Sequence, residues 1–184
     1  DFFKILLKDL GIGNRVFPAG GVERLGIPPI LFTDGPRGVV IPGSTCFPVS
    51  MARGASWDAN LEEEVGEVIG KEVRAHGGNL YGGVCINLLR HPAWGRAQET
   101  YGEDPYHLGE LGSALMRGVQ KHNVMATIKH FAANSIEYSR FKVNVIMNER
   151  TLREVYLPHF KRCVDDGCAT VMSAYNKVNG TYCG

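Results

Sequence analysis

The sequence predicts an α/β fold in which parallel strands alternate with crossover helices, as in a partial (β/α)8 barrel of the TIM type. Short apolar runs alternate along the chain with segments whose apolar residues recur at helical spacing. The runs contain few polar residues, as strands buried on both faces of a parallel sheet require. A complete barrel needs about 250 residues, so we expect a chain of 184 residues to be too short to close one.

The first predicted strand covers residues 29–34 and ends before a Gly-Pro turn. A helix then begins with Asp58 as its N-cap and with acidic residues in its first turns, where the helix dipole favours anions. Its apolar residues fall on one face: Leu61, Val65, Val68, Ile69 and Val73. The second strand is predicted at residues 84–89, an almost wholly apolar run.

A second helix is predicted from Asp104 and Pro105, which suit the N-cap and the first helical position. Its apolar stripe consists of Leu108, Leu111, Leu115 and Val119. The third strand covers residues 124–128, and the chain turns polar immediately afterwards, at Lys129 and His130. This boundary between an apolar strand and charged residues is typical of the mouth of an enzyme's sheet.

The last third of the chain continues the same alternation. Residues 142–147 alternate polar and apolar side chains, which predicts a short exposed strand or hairpin arm. A helix is expected over residues 149–166, kinked at Pro158, because proline removes a backbone donor. Its inward side chains are predicted to be Leu152, Val155, Tyr156, Phe160, Cys163 and Val164. A fourth strand at residues 169–174 would have an unpaired apolar edge, so we expect a homo-oligomer or dependence on the remainder of a barrel.

Composition excludes few classes of protein. Lys and Arg number 20 against 19 Asp and Glu, for a formal net charge of +1, which indicates neither nucleic acid nor a membrane as partner. No apolar run approaches the roughly 18 residues of a membrane span. Residues 1–4 lack the basic start of a signal peptide, although the chain also begins without Met. Localisation therefore stays open, with the cytoplasm favoured.

Cysteine and histidine usage gives no sign of a metal site. The five cysteines are odd in number and lack Cys-x-x-Cys spacing, which favours small buried side chains in a reduced protein. Most of the histidines are scattered singly along the chain. We therefore expect no metal and no organic cofactor.

Polar side chains follow each predicted strand and suggest a site for a carbohydrate. Asp34 follows the first strand, the loop containing Arg96 the second, Lys129 and His130 the third, and Tyr175 the fourth. The carboxyl ends of parallel strands meet at one edge of a sheet. A sugar hydroxyl both donates and accepts, so it suits a carboxylate surrounded by cationic and neutral donors. A phosphate site would instead need a Gly-rich loop opening a helix, and residues 77–83 do not form one.

Four blocks of sequence resemble the N-terminal domain of glycoside hydrolase family 3. They are TDGPRG at 33–38, WGRAQETYGEDP at 94–105, KHFAANSIEYSR at 129–140 and VMSAYNKVNG at 171–180. Their order matches that of the family, and they cover the chain from its first predicted strand almost to its end. The resemblance implies the first portion of a barrel domain (residues 1–184), with the rest of the barrel and an α/β sandwich domain absent from this chain.

The resemblance also implies the activity and the site. Similar enzymes are retaining β-glucosidases, which remove terminal β-linked glucose with two carboxyl groups about 5–5.5 Å apart. The residues that match their terminal-sugar subsite are Asp34, Arg96, Lys129, His130, Arg140 and Tyr175. The nucleophilic Asp and the acid/base Glu are expected beyond Gly184, so this chain alone is expected to be inactive, and Asp34 is expected to bind a sugar hydroxyl.

Supporting roles are predicted for three other residues. Glu99 is expected to pair with a cation and hold the Arg96 loop, and Glu137 to orient Arg140. Trp94 is equally suited to stacking on a sugar and to anchoring its loop.

Two departures from the family pattern bear on specificity. Residues 132–134 read Ala-Ala-Asn where the N-acetylglucosaminidase branch has Pro-Gly-His, which disfavours that branch. Residues 90–93 read Arg-His-Pro-Ala where many relatives have Arg-Asp-Pro-Arg, so contacts around Arg90 stay open. Two alternatives remain: a β-xylosidase or arabinosidase of the same family, and a non-catalytic sugar-binding or assembly module.

Overall fold

Most of the strands belong to one sheet of largely parallel strands. The structure, a computed structural model, describes residues 15–184, so the expectation about residues 1–4 lies outside the described part. The strands are β1 (Phe17–Ala19), β2 (Ile30–Thr33), β3 (Leu80–Cys85), β4 (Met125–Phe131), β5 (Asn144–Val145), β6 (Thr170–Ser173), β7 (Lys177–Val178) and β8 (Thr181–Tyr182). The main sheet has the order β1-β2-β3-β4-β6. Strands β2, β3, β4 and β6 are parallel, which confirms the predicted α/β class, and β1 is antiparallel to β2.

Helices connect the parallel strands and cover the sheet. They are α1 (Ser50–Gly54), α2 (Ala59–Ala75), α3 (Pro105–Gln120), α4 (Glu149–Thr151) and α5 (Pro158–Asp165). Helices α2 and α3 pack with their backbones in contact, because a Cβ atom placed on Gly118 would lie 2.1 Å from the carbonyl oxygen of Glu63. Side chains of both helices and of β3 and β4 form the main apolar core.

Two predicted helix starts are confirmed by their caps. The side chain of Asp58 accepts hydrogen bonds from the backbone N–H groups of Asn60 and Leu61. Asp104 accepts from the N–H of His107, and Pro105 occupies the first turn. In each case an N-terminal donor of the helix gains a partner close to the dipole's positive end.

The predicted apolar faces are right in the centre and wrong at some margins. All four stripe residues of α3 are buried. In α2, Val65, Ile69 and Val73 are buried, whereas Leu61 and Val68 are exposed. Val164 of α5 is also exposed rather than inward. The exposed residues lie at the sides of the apolar stripe, because the stripe is wider than the part of the helix surface that contacts the core.

Strand β3 begins four residues earlier than residues 84–89, where the sequence predicted it. It includes Gly82 and Gly83, which propensity assigns to a loop. A Cβ on Gly82 would lie 2.5 Å from the Phe32 ring, and one on Gly83 would lie 2.4 Å from the carbonyl oxygen of Gly35. Glycine is therefore present in this strand because neighbouring groups approach it closely.

The C-terminal third contains a second, smaller sheet. Strand β5, predicted within residues 142–147, pairs parallel to β7, and β7 and β8 form an antiparallel hairpin that the sequence analysis missed. The helix expected over residues 149–166 is broken: α4 continues as a π-helical turn, Leu152–Tyr156, and α5 starts at Pro158. Proline thus separates two helical segments here rather than bending one.

Among residues 15–184, no helix is both long and apolar enough to cross a membrane.

Candidate active site

Strands β1, β2 and β4, the turn after β2 and the loop that contains Arg96 line a cleft of about 510 Å³. Its polar end is lined by Asp34, Arg96, Glu99 and Lys129. Its apolar wall is lined by Phe17, Phe32, Pro36 and Val40. The structure therefore brings together three of the six predicted sugar-binding residues in one cleft.

Asp34 and Lys129 form an ion pair at the polar end of this cleft. Lys129 Nζ lies 2.7 Å from Asp34 Oδ1, and the side-chain exposures of Lys129 and Asp34 are 2% and 47%. The Gly35 N–H also donates to Oδ1, at 2.7 Å. Within the described residues Asp34 Oδ2 has no donor, so the carboxylate has one oxygen committed and one facing outward as an acceptor.

The backbone holds Asp34 in this position. Gly35 has a φ of +131°, a region that L-residues rarely occupy. Its carbonyl oxygen accepts a hydrogen bond from the buried hydroxyl of Tyr81 in β3. The Val40 N–H donates to the Asp34 carbonyl at 3.1 Å. Hydrogen bonds thus connect the turn after β2 to the adjacent strand β3 and join the start of the turn, at Asp34, to its end, at Val40.

Arg96 is held by a bidentate pair with Glu99. Arg96 Nε and Nη2 donate to the two carboxylate oxygens at 2.9 and 2.7 Å, the geometry in which guanidinium and carboxylate match best. The prediction that Glu99 holds the Arg96 loop is confirmed. N–H groups not used in this pair can be directed into the cleft.

His130 forms a hydrogen bond with Arg96, and its ring is neutral. Arg96 Nη1 lies 3.0 Å from His130 Nε2. Burial, reinforced by the positive charges of Arg96, Lys129 and Arg140, lowers the pKa of His130 to about 2. Its Nδ1 lies 2.9 Å from Asn87 Oδ1, which only accepts, so Nδ1 carries the proton and Nε2 accepts from Arg96.

Asn87 is a site residue that the sequence analysis missed. Besides its bond to the ring, Asn87 Oδ1 accepts from the His130 N–H at 2.8 Å, and Asn87 Nδ2 donates to the His130 carbonyl at 2.9 Å. Asn87 is 1% exposed. The available signal was a single amide in an otherwise apolar run, because a buried polar group needs partners.

Arg140 and Tyr175 form a second group beside the first. The Arg140 guanidinium lies over the Tyr175 ring, 4.8 Å from its centroid, and Arg140 Nη1 donates to Glu137 at 2.9 Å. Glu137 also accepts from the indole N–H of Trp94 at 3.2 Å. The predicted orientation of Arg140 by Glu137 is confirmed. Trp94 is 5% exposed and anchors its loop.

This arrangement is suited to binding a neutral polyol. It offers one exposed carboxylate oxygen and the N–H groups of Arg96. The cation–π pair of Arg140 and Tyr175 is not part of the lining of this cleft. Four loops position these groups, and all four lie at the carboxyl ends of parallel strands, where barrel enzymes place their sites.

Comparison with known proteins connects this geometry to one family. Residues 19–184 match the family model for the glycosyl hydrolase family 3 N terminal domain. The thermostable beta-glucosidase B of Acetivibrio thermocellus is 42% identical over 177 residues, covering 88% of this chain and 23% of that protein. The probable beta-glucosidase I of Aspergillus flavus is 38% identical over 194 residues, covering 96% of this chain and 23% of that protein.

Solved structures agree with the sequence matches. Beta-glucosidase 3B from Thermotoga neapolitana, in complex with alpha-D-glucose, superposes with a TM-score of 0.87 at 39% identity, covering 92% of this chain and 26% of that chain. The GH3 beta-glucosidase of Bifidobacterium adolescentis gives 0.88 at 34% identity, covering 97% and 27%. This chain spans about a quarter of the length of these relatives.

The predicted partial barrel is confirmed, because the sheet is a curled half-barrel of mostly parallel strands and the neighbours have a TIM-barrel type N-terminal domain. The match extends over nearly every described residue and includes all four sequence blocks at the strand ends. The chain therefore belongs to glycosyl hydrolase family 3, as part of its N-terminal domain.

Proposed function

We propose that this chain supplies the terminal-glucose subsite of a retaining β-glucosidase. The observation that carries the proposal is the Asp34–Lys129 pair: a buried ammonium holds a carboxylate that is half exposed at the polar end of a cleft. The buried ammonium and the Gly35 N–H hold one carboxylate oxygen in place, so the other oxygen is available as an acceptor for sugar hydroxyls.

The other proposed roles follow from the contacts. Asp34 accepts from sugar hydroxyls through Oδ2, and Arg96 donates through the N–H groups that Glu99 and His130 leave free. Lys129 brings a positive charge to the site and holds Asp34 in its orientation. His130 acts mainly by holding Arg96, while Arg140 and Tyr175 form the wall of the subsite. A relative with glucose bound, beta-glucosidase 3B of Thermotoga neapolitana, supports glucose as the sugar.

The reaction itself requires two further carboxyl groups. By resemblance to the family, the nucleophilic Asp and the acid/base Glu lie outside these 184 residues, and retaining hydrolysis proceeds through a covalent glycosyl-enzyme. In this proposal Asp34 is a binding residue, since its Oδ1 is already shared by Lys129 and the Gly35 N–H.

A second candidate within the family is a β-xylosidase or arabinosidase. The two differ from a glucosidase in whether the pocket admits a hydroxymethyl group at C6. Measured on the complete reading frame, kcat/KM for aryl β-glucoside should exceed that for aryl β-xyloside and aryl α-arabinoside by at least about tenfold, the effect of one satisfied hydrogen bond. The first product should have the β configuration, which proton NMR reports.

The other outcomes separate the alternatives. A preference for xyloside or arabinoside would replace the glucosidase proposal by the second candidate. Glucose binding by calorimetry without turnover of any glycoside would favour a non-catalytic module. The 184-residue polypeptide serves as the negative control, and we expect it to turn over no glycoside.

A further inference from the structure

A buried cluster of three side chains lies behind the cleft and is not part of its lining. We call Arg53, Glu62 and Tyr101 the Arg53 cluster. Arg53 Nε donates to both Glu62 oxygens at 3.2 and 2.8 Å, and the side chains are 4% and 2% exposed. The Tyr101 hydroxyl donates to Glu62 Oε1 at 2.6 Å.

The guanidinium of this cluster reaches the turn that carries Asp34. Arg53 Nη2 donates to the Pro36 carbonyl at 3.2 Å, and Nη1 donates to the Pro48 carbonyl at 2.6 Å. Ser50 Oγ donates to the same Pro36 carbonyl at 3.3 Å. Pro36 is two residues from Asp34, so one side chain fixes the far side of the turn to the start of α1 and, through Glu62, to α2.

The cluster also reaches the loop that carries Arg96. Tyr101 follows Thr100, whose hydroxyl donates to the Asn87 carbonyl at 2.5 Å. Asn87 in turn holds His130, which contacts Arg96. Buried polar contacts, together with the peptide bond between Thr100 and Tyr101, therefore connect the Asp34 turn to the Arg96 loop.

We propose that the Arg53 cluster is a positioning unit that fixes Asp34 and Arg96 relative to each other for sugar binding; this rests on the proposed function of the cleft. Arg53, Glu62 and Tyr101 touch no substrate in this account. They act through the backbone at Pro36 and through the loop that follows β3.

Stability alone gives a weak reason for such a cluster. Replacing a buried ion pair by apolar side chains of similar volume is often neutral for stability, or stabilising. The triple variant Arg53→Met, Glu62→Leu, Tyr101→Phe should therefore fold while losing the hydrogen bonds from Arg53 to the Pro36 and Pro48 carbonyls, with only Ser50 Oγ still donating to Pro36. Loss of position can thus be separated from loss of fold.

The test compares this triple variant with a matched control in the complete reading frame. The control is Arg150→Met with Glu154→Leu, an ion pair whose side chains are 83% and 60% exposed. We expect the triple variant to lower kcat/KM for aryl β-glucoside by at least about tenfold, and the control to leave it unchanged. Combined with Asp34→Asn, the triple variant should add little further loss, because both changes remove the same interaction.

A second readout does not need activity. The Gly38 and Val40 N–H groups bond within the Asp34 turn, so hydrogen exchange in residues 34–40 should be at least about tenfold faster in the triple variant, with α3 unchanged. If the triple variant does not fold, Arg53→Lys replaces it, since lysine keeps the charge and cannot span both carbonyls.

Two results would overturn the proposal: losses of kcat/KM that multiply independently, or unchanged exchange at residues 34–40. If the wild-type protein hydrolyses no glycoside, the proposed function fails, and the exchange experiment still decides whether the cluster positions the turn.

Discussion

At the scale of single residues, two buried histidines contribute to the response of stability to pH. Burial lowers the pKa of His159 to about 4 and, together with nearby cations, that of His130 to about 2. Both rings are neutral when folded and bind a proton on unfolding below their ordinary value of 6.5. The contribution of each ring to stability is thus complete above pH 6.5 and falls by about 1.4 kcal/mol per pH unit as the pH drops from 6.5 towards the pKa of the folded ring.

His159→Leu tests this account without touching the cleft. His159 is 2% exposed and lies beside Phe160, and its Nδ1 has no hydrogen-bond partner among the described residues. Between pH 7 and pH 5 the variant should lose about 2 kcal/mol less free energy of unfolding than the wild type. Urea titrations at both pH values measure the difference.

The control for His159→Leu is His91→Leu at an exposed position. An equal pH dependence in the His159 variant and the wild type would contradict the assignment of a neutral buried ring.

At the scale of elements, β6 lies at the edge of the main sheet. Among the described strands it pairs only with β4. Beside it is an apolar groove of about 630 Å³, lined by residues that include Ile128, Phe131 and Val171. Phe131 and Val171 are 40% and 47% exposed. A parallel edge strand with unpaired backbone groups and an apolar face is prone to pair with another chain.

Because of this edge, we expect the 184-residue polypeptide to self-associate. Val171→Lys places a charge on the edge strand and should shift the polypeptide toward monomer, as size-exclusion chromatography with light scattering would show. Thr181→Lys, on exposed β8, is the matched control. A monomeric wild-type polypeptide would contradict the expectation that the open edge of β6 drives self-association.

Elements with strong local signals could be predicted, and those fixed by distant contacts could not. The caps at Asp58 and Asp104 located two helices because capping is a local interaction. Strand β3 was misplaced because its glycines are required by Phe32 and Gly35, residues far away in sequence. Strand β1 was missed because a three-residue segment containing proline gives almost no strand signal.

At the scale of the whole molecule, the order of strands decided how much of the site could be predicted. Parallel strands made it possible to place Asp34, Arg96 and Lys129 at one edge, and all three line one cleft. The local sequence pattern does not show burial, so Lys129 was expected to follow the third strand, whereas it lies buried within β4 and lines the cleft from there. For the same reason Asn87 and the Arg53 cluster became apparent only in three dimensions.

The central claim, that Asp34 binds the sugar, is tested most directly by kcat/KM of Asp34→Asn for aryl β-glucoside in the complete reading frame. The amide keeps the shape and loses a charge-assisted hydrogen bond of about 1.5–3 kcal/mol. Asp165→Asn is the control, because its ion pair with Lys161 is exposed at the surface of α5. We predict a fall of about ten- to a hundredfold for Asp34→Asn and none for the control. A value within about twofold of wild type, less than half a kcal/mol, would contradict the assignment of Asp34 to the sugar subsite.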